Sequence, residues 1–383
     1  MLQEINMWES SNWYLNMRGK IAERNRSTHP WYLNDHPLLE QTRDDPMAYI
    51  VAIVMVILKN LGVPNRFSPM NRRGPSDLWK VGVLVLHSFT AKSWDMFIPE
   101  LKSMHGVLDL GNVENCITES CLRKFNRKLP DESLDHLIAE TARLCGTMDM
   151  TVAIDATGYC DRSASPHYTK RILQINRTEE NAEKKKKQKE AEKAEKEDMK
   201  NGAEPKLSYS CTPVRGFVKT SFAANVDTLA IVGCDIVLDH SADVKRIVPL
   251  AKKVDSYGFL LGLVLADKGY DSEQVHKELR SLSNCGVIIP ARHYEPARLS
   301  HPEQPCVRGK NRYDMVVNWN AAYKHLYGRR SLVECVNSVI KRLFGGIVRS
   351  KNEDSKRKEI KLACVIHNIL RLESLRFIRR IWV

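Results

Sequence analysis

The sequence predicts a mixed α/β protein with a helical first third. Apolar residues recur at three- and four-residue intervals from about Met47 to Cys145, and this period changes after Cys145. Short runs rich in β-branched residues then alternate with amphipathic stretches, the pattern of strands and helices layered on one sheet.

Taken in order, Ala48 to Leu58 is an unbroken apolar run that stops at Lys59. It is too short for the roughly 20 residues that span a bilayer and is expected to be a buried helix. Helical periods follow in Leu78 to Phe89, Met96 to Leu101 and Leu134 to Leu144, separated by Gly62, Pro64, Gly74, Pro75 and Gly106. In Thr118 to Leu129, Leu122, Phe125 and Leu129 share one face and Arg123, Lys124, Arg127 and Lys128 fill the rest. Pro130 and Asp131 start another helix, so the pair reads either as a helix-turn-helix with Arg123 and Arg127 in a DNA groove or as an amphipathic helix with a solvated basic face.

Thr151 to Ile154 reads as a buried strand ending at Asp155. Val214 to Asn225 and Leu229 to Leu238 read as two strands joined by a turn at Asp227, and Asp243 to Lys253 as a helix. Leu260 to Ala266 is a second buried strand, ending at Asp267. A helix from Glu273 to Leu282, capped by Asp271, and a strand at Val287 to Ile289 come next. The last long amphipathic helix runs from about Arg329 to Phe344 and stops at Gly345 and Gly346.

The 383 residues carry 59 Lys and Arg against 46 Asp and Glu, a formal net charge of +13, with 43% hydrophobic residues. That balance excludes wholesale disorder and a collagenous or membrane-embedded chain. No export signal opens the chain, and the ten Cys show no C-x2-C pairs, which predicts a reduced, cytoplasmic protein without structural zinc. Residues 179–200 look basic but hold eight acids and eight lysines, and read as a solvated helix or flexible insertion. The cationic excess lies in residues 341–383, with twelve Lys and Arg against four Asp and Glu, so a polyanion is the expected partner.

Asp155 and Asp267 each follow a buried strand. Neighbouring parallel strands deliver their ends to one edge of a sheet, where ligands bind. The final helix offers a third carboxylate: at 100° per residue Tyr327, Arg330, Glu334, Ser338 and Lys341 fall within an arc of about 80°. Leu332, Val336, Val339, Ile340 and Leu343 form the opposite face, expected to pack on the sheet. A lone Glu flanked by cations suits a site for a metal ion and phosphates, although the same stripe is also what a wet helix face looks like.

Tyr327, Arg330, Glu334 and Lys341 match Y-x2-R-x3-E-x6-K, the signature of a large group of prokaryotic insertion-sequence transposases with a DDE site on an RNase H-like fold. The chain resembles this family further in IDATG (Ile154 to Gly158), in Ser165, His167, Tyr168 and Arg171, in ADKGYDS (Ala266 to Ser272), in IIPAR (Ile288 to Arg292) and in KRLFGG (Lys341 to Gly346). The resemblance implies that Asp155, Asp267 and Glu334 are catalytic and bind two Mg²⁺, with Mn²⁺ able to substitute. Hard cations need oxygen ligands, which agrees with three carboxylates and no Cys or His. It further implies that Tyr327, Arg330, Lys341 and Arg171 contact DNA; Arg123 and Arg127 would do so under the helix-turn-helix reading of the N-terminal region. Gly328, inside the signature, is expected to delay the helix start.

The implied organisation is a helical DNA-binding region at 1–147, an RNase H-like mixed-sheet domain at 148–350 with a Lys/Glu-rich insertion at 177–206, and a basic helical tail at 351–383. The expected partners are double-stranded DNA, as transposon ends and target, and further copies of the chain in a synaptic assembly, in a cytoplasmic, nucleoid-associated protein. Two other readings stay open: a metal-dependent nuclease on the same fold without strand transfer, and a former transposase kept as a DNA-binding protein.

Overall fold

The computed structural model describes residues 33, 36–67, 74–113, 117–146, 149–161, 217–238, 242–282, 285–292 and 309–382. His167, Tyr168, Arg171 and the Lys/Glu stretch lie outside these described residues.

A mixed sheet of six strands forms the centre: β1 (Asp149–Asp161), β2 (Phe217–Asn225), β3 (Ile231–Val237), β4 (Leu260–Ala266), β5 (Gly286–Ile288) and β6 (Ile347–Val348). The order is β3-β2-β1-β4-β5, with β6 beside the far end of β1. The pairs β1–β2 and β2–β3 are antiparallel, whereas β4 and β6 run parallel to β1 and β5 runs parallel to β4. This is the mixed, helix-flanked sheet of an RNase H-like domain. The β2–β3 turn forms where expected, because the Asn225 side-chain oxygen accepts from the backbone N–H groups of Asp227 and Thr228, each at 2.8 Å.

One strand differs from its sequence reading. Asp155 does not end β1, which continues six residues further to Asp161. The residues ATGYCD after the apolar run are held by antiparallel pairing with β2, from Ala156↔Ser221 to Cys160↔Phe217. What ends near Asp155 is the pairing with β4, whose last pair is Ile154↔Ala266. Asp155 and Asp267 are next in that register, on adjacent strands, where β1 loses its parallel neighbour.

The N-terminal helices are α1 (Pro46–Asn60), α2 (Asp77–Thr90), α3 (Trp94–Ser103), α4 (Glu119–Lys128) and α5 (Asp131–Leu144). Asp45 caps α1 by accepting from the N–H groups of Met47 and Ala48 at 3.0 Å, with Pro46 as first helical residue. Helix α1 is buried almost all round, as its apolar run predicts. It packs closely on α2, since a Cβ at Gly82 would stand 2.8 Å from Val51 Cγ1. The helices α4 and α5 flank Leu129 and Pro130 as read, but α5 is buried along nearly its whole length. Of the two, only α4 therefore keeps a broad solvent face.

The longer helices that follow are α6 (Ile247–Ser256), α7 (Glu273–Arg280), α8 (Lys310–Val317), α9 (Ser331–Phe344) and α10 (Glu353–Trp382). A single 3-10 turn at Asp243–Lys245 precedes α6, so that helix starts later than its periodicity suggests. The N-cap of α7 is Ser272 rather than Asp271. Asp271 is instead drawn to the Arg312 guanidinium, 2.6 Å from Nη2, and accepts from the backbone N–H of Arg292 at 2.8 Å. Burial would raise its carboxyl, but the nearby His276 ring, 3.7 Å away, and the hydrogen bonds from Arg312 and Arg292 outweigh that and hold it at about 2.

Two of the C-terminal cations are held within the fold rather than left free for a polyanion. Lys358, buried in α10, donates to the carbonyls of Asn126 and Arg127 at 3.0 and 2.9 Å, satisfying the last turn of α4. Lys361, also buried, pairs with Asp131 and Asp135 of α5. Asn368 donates to the carbonyls of Ile138 and Ile231 and accepts from the N–H of Ile231, joining α5 to the outer strand β3. An edge covered in this way is closed to pairing with another chain. No described helix is long and apolar enough to cross a membrane.

Candidate active site

Three pieces of chain meet where β1 loses β4. Asp155 projects from the middle of β1, Asp267 follows β4 and leads a 3-10 turn at Lys268–Tyr270, and Glu334 lies in the first turn of α9. Gly328 has the effect its position implies: Gly328–Arg330 form a 3-10 turn and α9 begins at Ser331. Tyr327 and Arg330 thus precede the helix, yet they stay together, with the Arg330 guanidinium 6.0 Å from the Tyr327 ring centre. Trp319 meets the other side of this cluster, edge to face with Tyr327 at 5.1 Å.

Arg330 bridges two of the carboxylates. Its Nη2 donates to Glu334, and its Nη1 lies 3.8 Å from Asp155 Oδ1. The other oxygen of Asp155 accepts from the Asn337 side chain at 3.1 Å. Sequence reasoning passed over Asn337, although at about −80° from Tyr327 it belongs to the same helical stripe. The buried face of α9 is centred on Val333, Val336, Asn337 and Ile340, while Leu343 is 47% exposed. The expected apolar face is therefore turned toward Asn337, which the hydrogen bond to Asp155 draws against the sheet.

The electrostatics agree with this convergence. Burial raises the Asp155 carboxyl most strongly, the charges of Glu334 and Asp267 add to the rise, and Arg330 and the N–H of Ala156 oppose it. Burial likewise raises the Tyr327 phenol, which also feels Asp267, Glu334 and Asp155. Arg330 is pulled the other way from its own burial: Tyr327, Glu334, Asp155 and Asp267 together hold its charge more firmly than usual. Asp155 thus feels both of the other acids.

Lys341 stands two turns along α9 from Glu334, with its ammonium 5.5 Å from the ring centre of Tyr159. Tyr159 is four residues beyond Asp155 and so on the same face of β1. Arg123 and Arg127 lie apart from the acids, both exposed on α4, where Arg123 is paired with Glu119. Arg171 is outside the described residues.

Among the described residues no three carboxylates, imidazoles or thiolates close on one point as a ready metal cage. The guanidinium of Arg330 stands between Asp155 and Glu334 instead. The donor chemistry nonetheless fits a hard divalent cation, because the converging groups are carboxylate oxygens whose mutual repulsion at a half-buried position a cation relieves.

A model of the family described as transposase DDE domain matches residues 164–369, more than half of the chain. The matched stretch includes Asp267, Arg330, Glu334, Asn337 and Lys341, and starts after Asp155. No curated protein and no solved structure matches the chain. With the family model covering most of the sheet and the helix that carries Glu334, the chain belongs to the DDE-domain transposases, enzymes that act on DNA with divalent metal ions.

Proposed function

We propose that Asp155, Asp267 and Glu334 are the catalytic carboxylates, that they hold two Mg²⁺ ions, and that the protein cuts DNA at the terminal repeats of its mobile element and joins the ends to target DNA. The observation that carries this reading is the β1–β4 register, which sets Asp155 beside Asp267, together with the Arg330 bridge from Asp155 to Glu334. Bound there, a pair of divalent cations acidifies the attacking hydroxyl and neutralises the leaving oxygen.

The chain's own residues supply position and charge. In the cleavage step a water oxygen bonds to the scissile phosphorus, the P–O3′ bond breaks, and the products are a 3′-hydroxyl and a 5′-phosphate. In strand transfer that 3′-hydroxyl attacks a target phosphodiester, exchanging one P–O bond for another, so no energy-carrying co-reactant is needed. Arg330, already oriented by Tyr327, turns its planar fork to the phosphate next to the cut, and Lys341 holds a second phosphate as a point charge. Asn337 fixes one oxygen of Asp155 and leaves the other for the reacting centre. Tyr327 contacts DNA through Arg330, and a homodimer or larger assembly brings two ends together.

The test is incubation of the full chain with DNA bearing the ends of its own element and Mg²⁺, followed by mapping of the breaks. Cuts at the element boundary that leave 3′-hydroxyls, and joining of a pre-cut end to a second DNA, are expected. Mn²⁺ should replace Mg²⁺, and EDTA should stop both steps. Cutting without joining would instead identify a nuclease on this fold, and cutting in EDTA would overturn the metal assignment.

A further inference from the structure

Beyond Lys341 the structure contains a cleft of about 690 Å³ between the helical layer and the chain that follows α9. Helices α2, α3 and α4 form one wall, and β6 with the start of α10 forms the other. Arg127, Arg349 and Lys351, all exposed, point their charges at it from opposite sides. Among the described residues none of the three pairs with a carboxylate. Glu359, an acid of the lining, is engaged by the backbone N–H groups of Arg349 and Ser350 at 2.9 and 2.8 Å. Asp95, at the rim, is the other carboxylate of the lining.

The same cleft has aromatic walls. His87 and Trp94 stack with ring centres 3.7 Å apart and planes at 12°, Phe97 supports both edge-on, and Tyr159 closes the end nearest Lys341. Burial, with Arg349 and Arg123 adding to it, lowers His87 to about 4, so the stack is neutral at pH 7 and offers a π-face rather than a charge.

The cleft ends beside the site already described, because Tyr159 lines it and the Lys341 ammonium lies 5.5 Å from that ring. Asp155, Thr157 and Tyr159 share one face of β1, and four residues of strand span about 13 Å. Along a nucleic-acid strand that is about four nucleotide steps of 3.4 Å. A strand with its scissile phosphate at the carboxylates therefore passes Lys341 and reaches Tyr159 within a few nucleotides.

We infer that this cleft binds unpaired DNA, a short single-stranded stretch leading away from the cut, with phosphates on Arg127, Arg349 and Lys351 and a base against Trp94. Cations along a groove combined with an aromatic platform are how single strands are held. A duplex keeps its bases stacked on one another and would show these rings only its backbone. The inference rests on the proposed active site for its direction along the strand, but not for its measurement.

Fluorescence anisotropy tests it with the full chain in EDTA, using a short labelled oligothymidylate and a blunt duplex. The double variant Arg349→Ala/Lys351→Ala should bind oligothymidylate about tenfold or more weakly, with the slope against log salt smaller by about 1.4, or 0.7 for each lost charge. Its duplex affinity should change far less. Trp94→Leu should lose about tenfold on oligothymidylate with the salt slope unchanged, and Trp94→Phe, which keeps a ring, should lose less. Equal losses on single strand and duplex, or equal losses for Leu and Phe at position 94, would overturn the inference. Cleavage by Asp155→Ala reads the active-site assignment and oligothymidylate binding by Arg349→Ala/Lys351→Ala in EDTA reads the cleft, so a failed active-site assignment and a failed cleft give different results.

Discussion

Two adjacent helices, α9 and α10, are both amphipathic and both rich in Lys and Arg, yet they use their cations oppositely. On α9 and the turn before it, Arg330 and Lys341 face the carboxylate cluster and Tyr159. On α10, Lys358 and Lys361 are 2% and 5% exposed and serve backbone carbonyls and buried acids. Net charge therefore counts cations without saying which of them a polyanion can reach. The distinguishing feature is what lies opposite: another part of the fold for α10, an open edge of the sheet for α9.

The sharpest test of this contrast comes from the acids that the α9 cations face. Replacing Asp155, Asp267 or Glu334 by Ala should reduce cleavage by about 10⁴-fold each while DNA binding persists. Mapped breaks at wild-type rates in any of the three would remove that residue from the site. On α10 the corresponding change should act on stability alone. Lys361→Ala leaves Asp135 with only the partly exposed Lys253, 2.7 Å away, and Asp131 to solvent, and should cost about 1–3 kcal/mol in urea unfolding, with the salt dependence of DNA binding in the surviving folded protein unchanged. A smaller salt slope would mean that Lys361 reaches DNA after all.

Lys341→Ala should show the reverse profile: thermal unfolding near that of the wild type, but cleavage lower by about 10²-fold through misplacement of the reacting phosphate. Lys341→Arg should recover binding more than cleavage.

Arg312 and Asp271 form the structural counterpart of Arg330 and Asp155, and pH separates them. The folded Asp271 carboxyl lies at about 2, below its ordinary value of 3.8. Its contribution is present above about pH 4 and is lost as pH falls through about 2, amounting to about 2 kcal/mol. The Asp271→Asn protein should be less stable at neutral pH and should lack this acid-dependent loss in urea titrations. A wild-type-like acid profile would deny the pair that role. The smallest effect is expected at Asn337, where Ala should lower cleavage about tenfold by freeing Asp155 to rotate, as a displaced ligand partner does elsewhere. Single-turnover cleavage measures it, and no change would leave Asn337 a packing residue.

Much of this was readable from the chain. Strand β4 has the bounds its unbroken apolar run gives, Leu260 to Ala266, because that run is ended by Asp267 and its last three residues, Val264 to Ala266, are buried. The helix around Glu334 was equally visible from its stripe. The far half of β1 was not, since ATGYCD has no apolar run and is held by β2, more than fifty residues away. Asp271 looked like a helix cap because its local sequence allows one, and a partner forty-one residues distant took it instead. Asn337 was hidden for the same reason: an amide on a polar stripe has no signal of its own, and its partner Asp155 is 182 residues earlier. What sequence periodicity gives is local, and the misses are all long-range polar pairs.

The Asn368 junction has a consequence for how the protein is made. The helical layer formed by the first third of the chain has its innermost helix, α5, covered by α10, which comes last in the described chain. During synthesis the early helices must wait, with α5 uncovered on one side, until the end of the chain arrives to close them. A copy of the gene interrupted before Asn368 would therefore yield not a shortened enzyme with one function missing, but a polypeptide in which α1 still packs on α2 while α5 lacks its cover. Such a product is a substrate for proteolysis rather than a competitor for DNA ends.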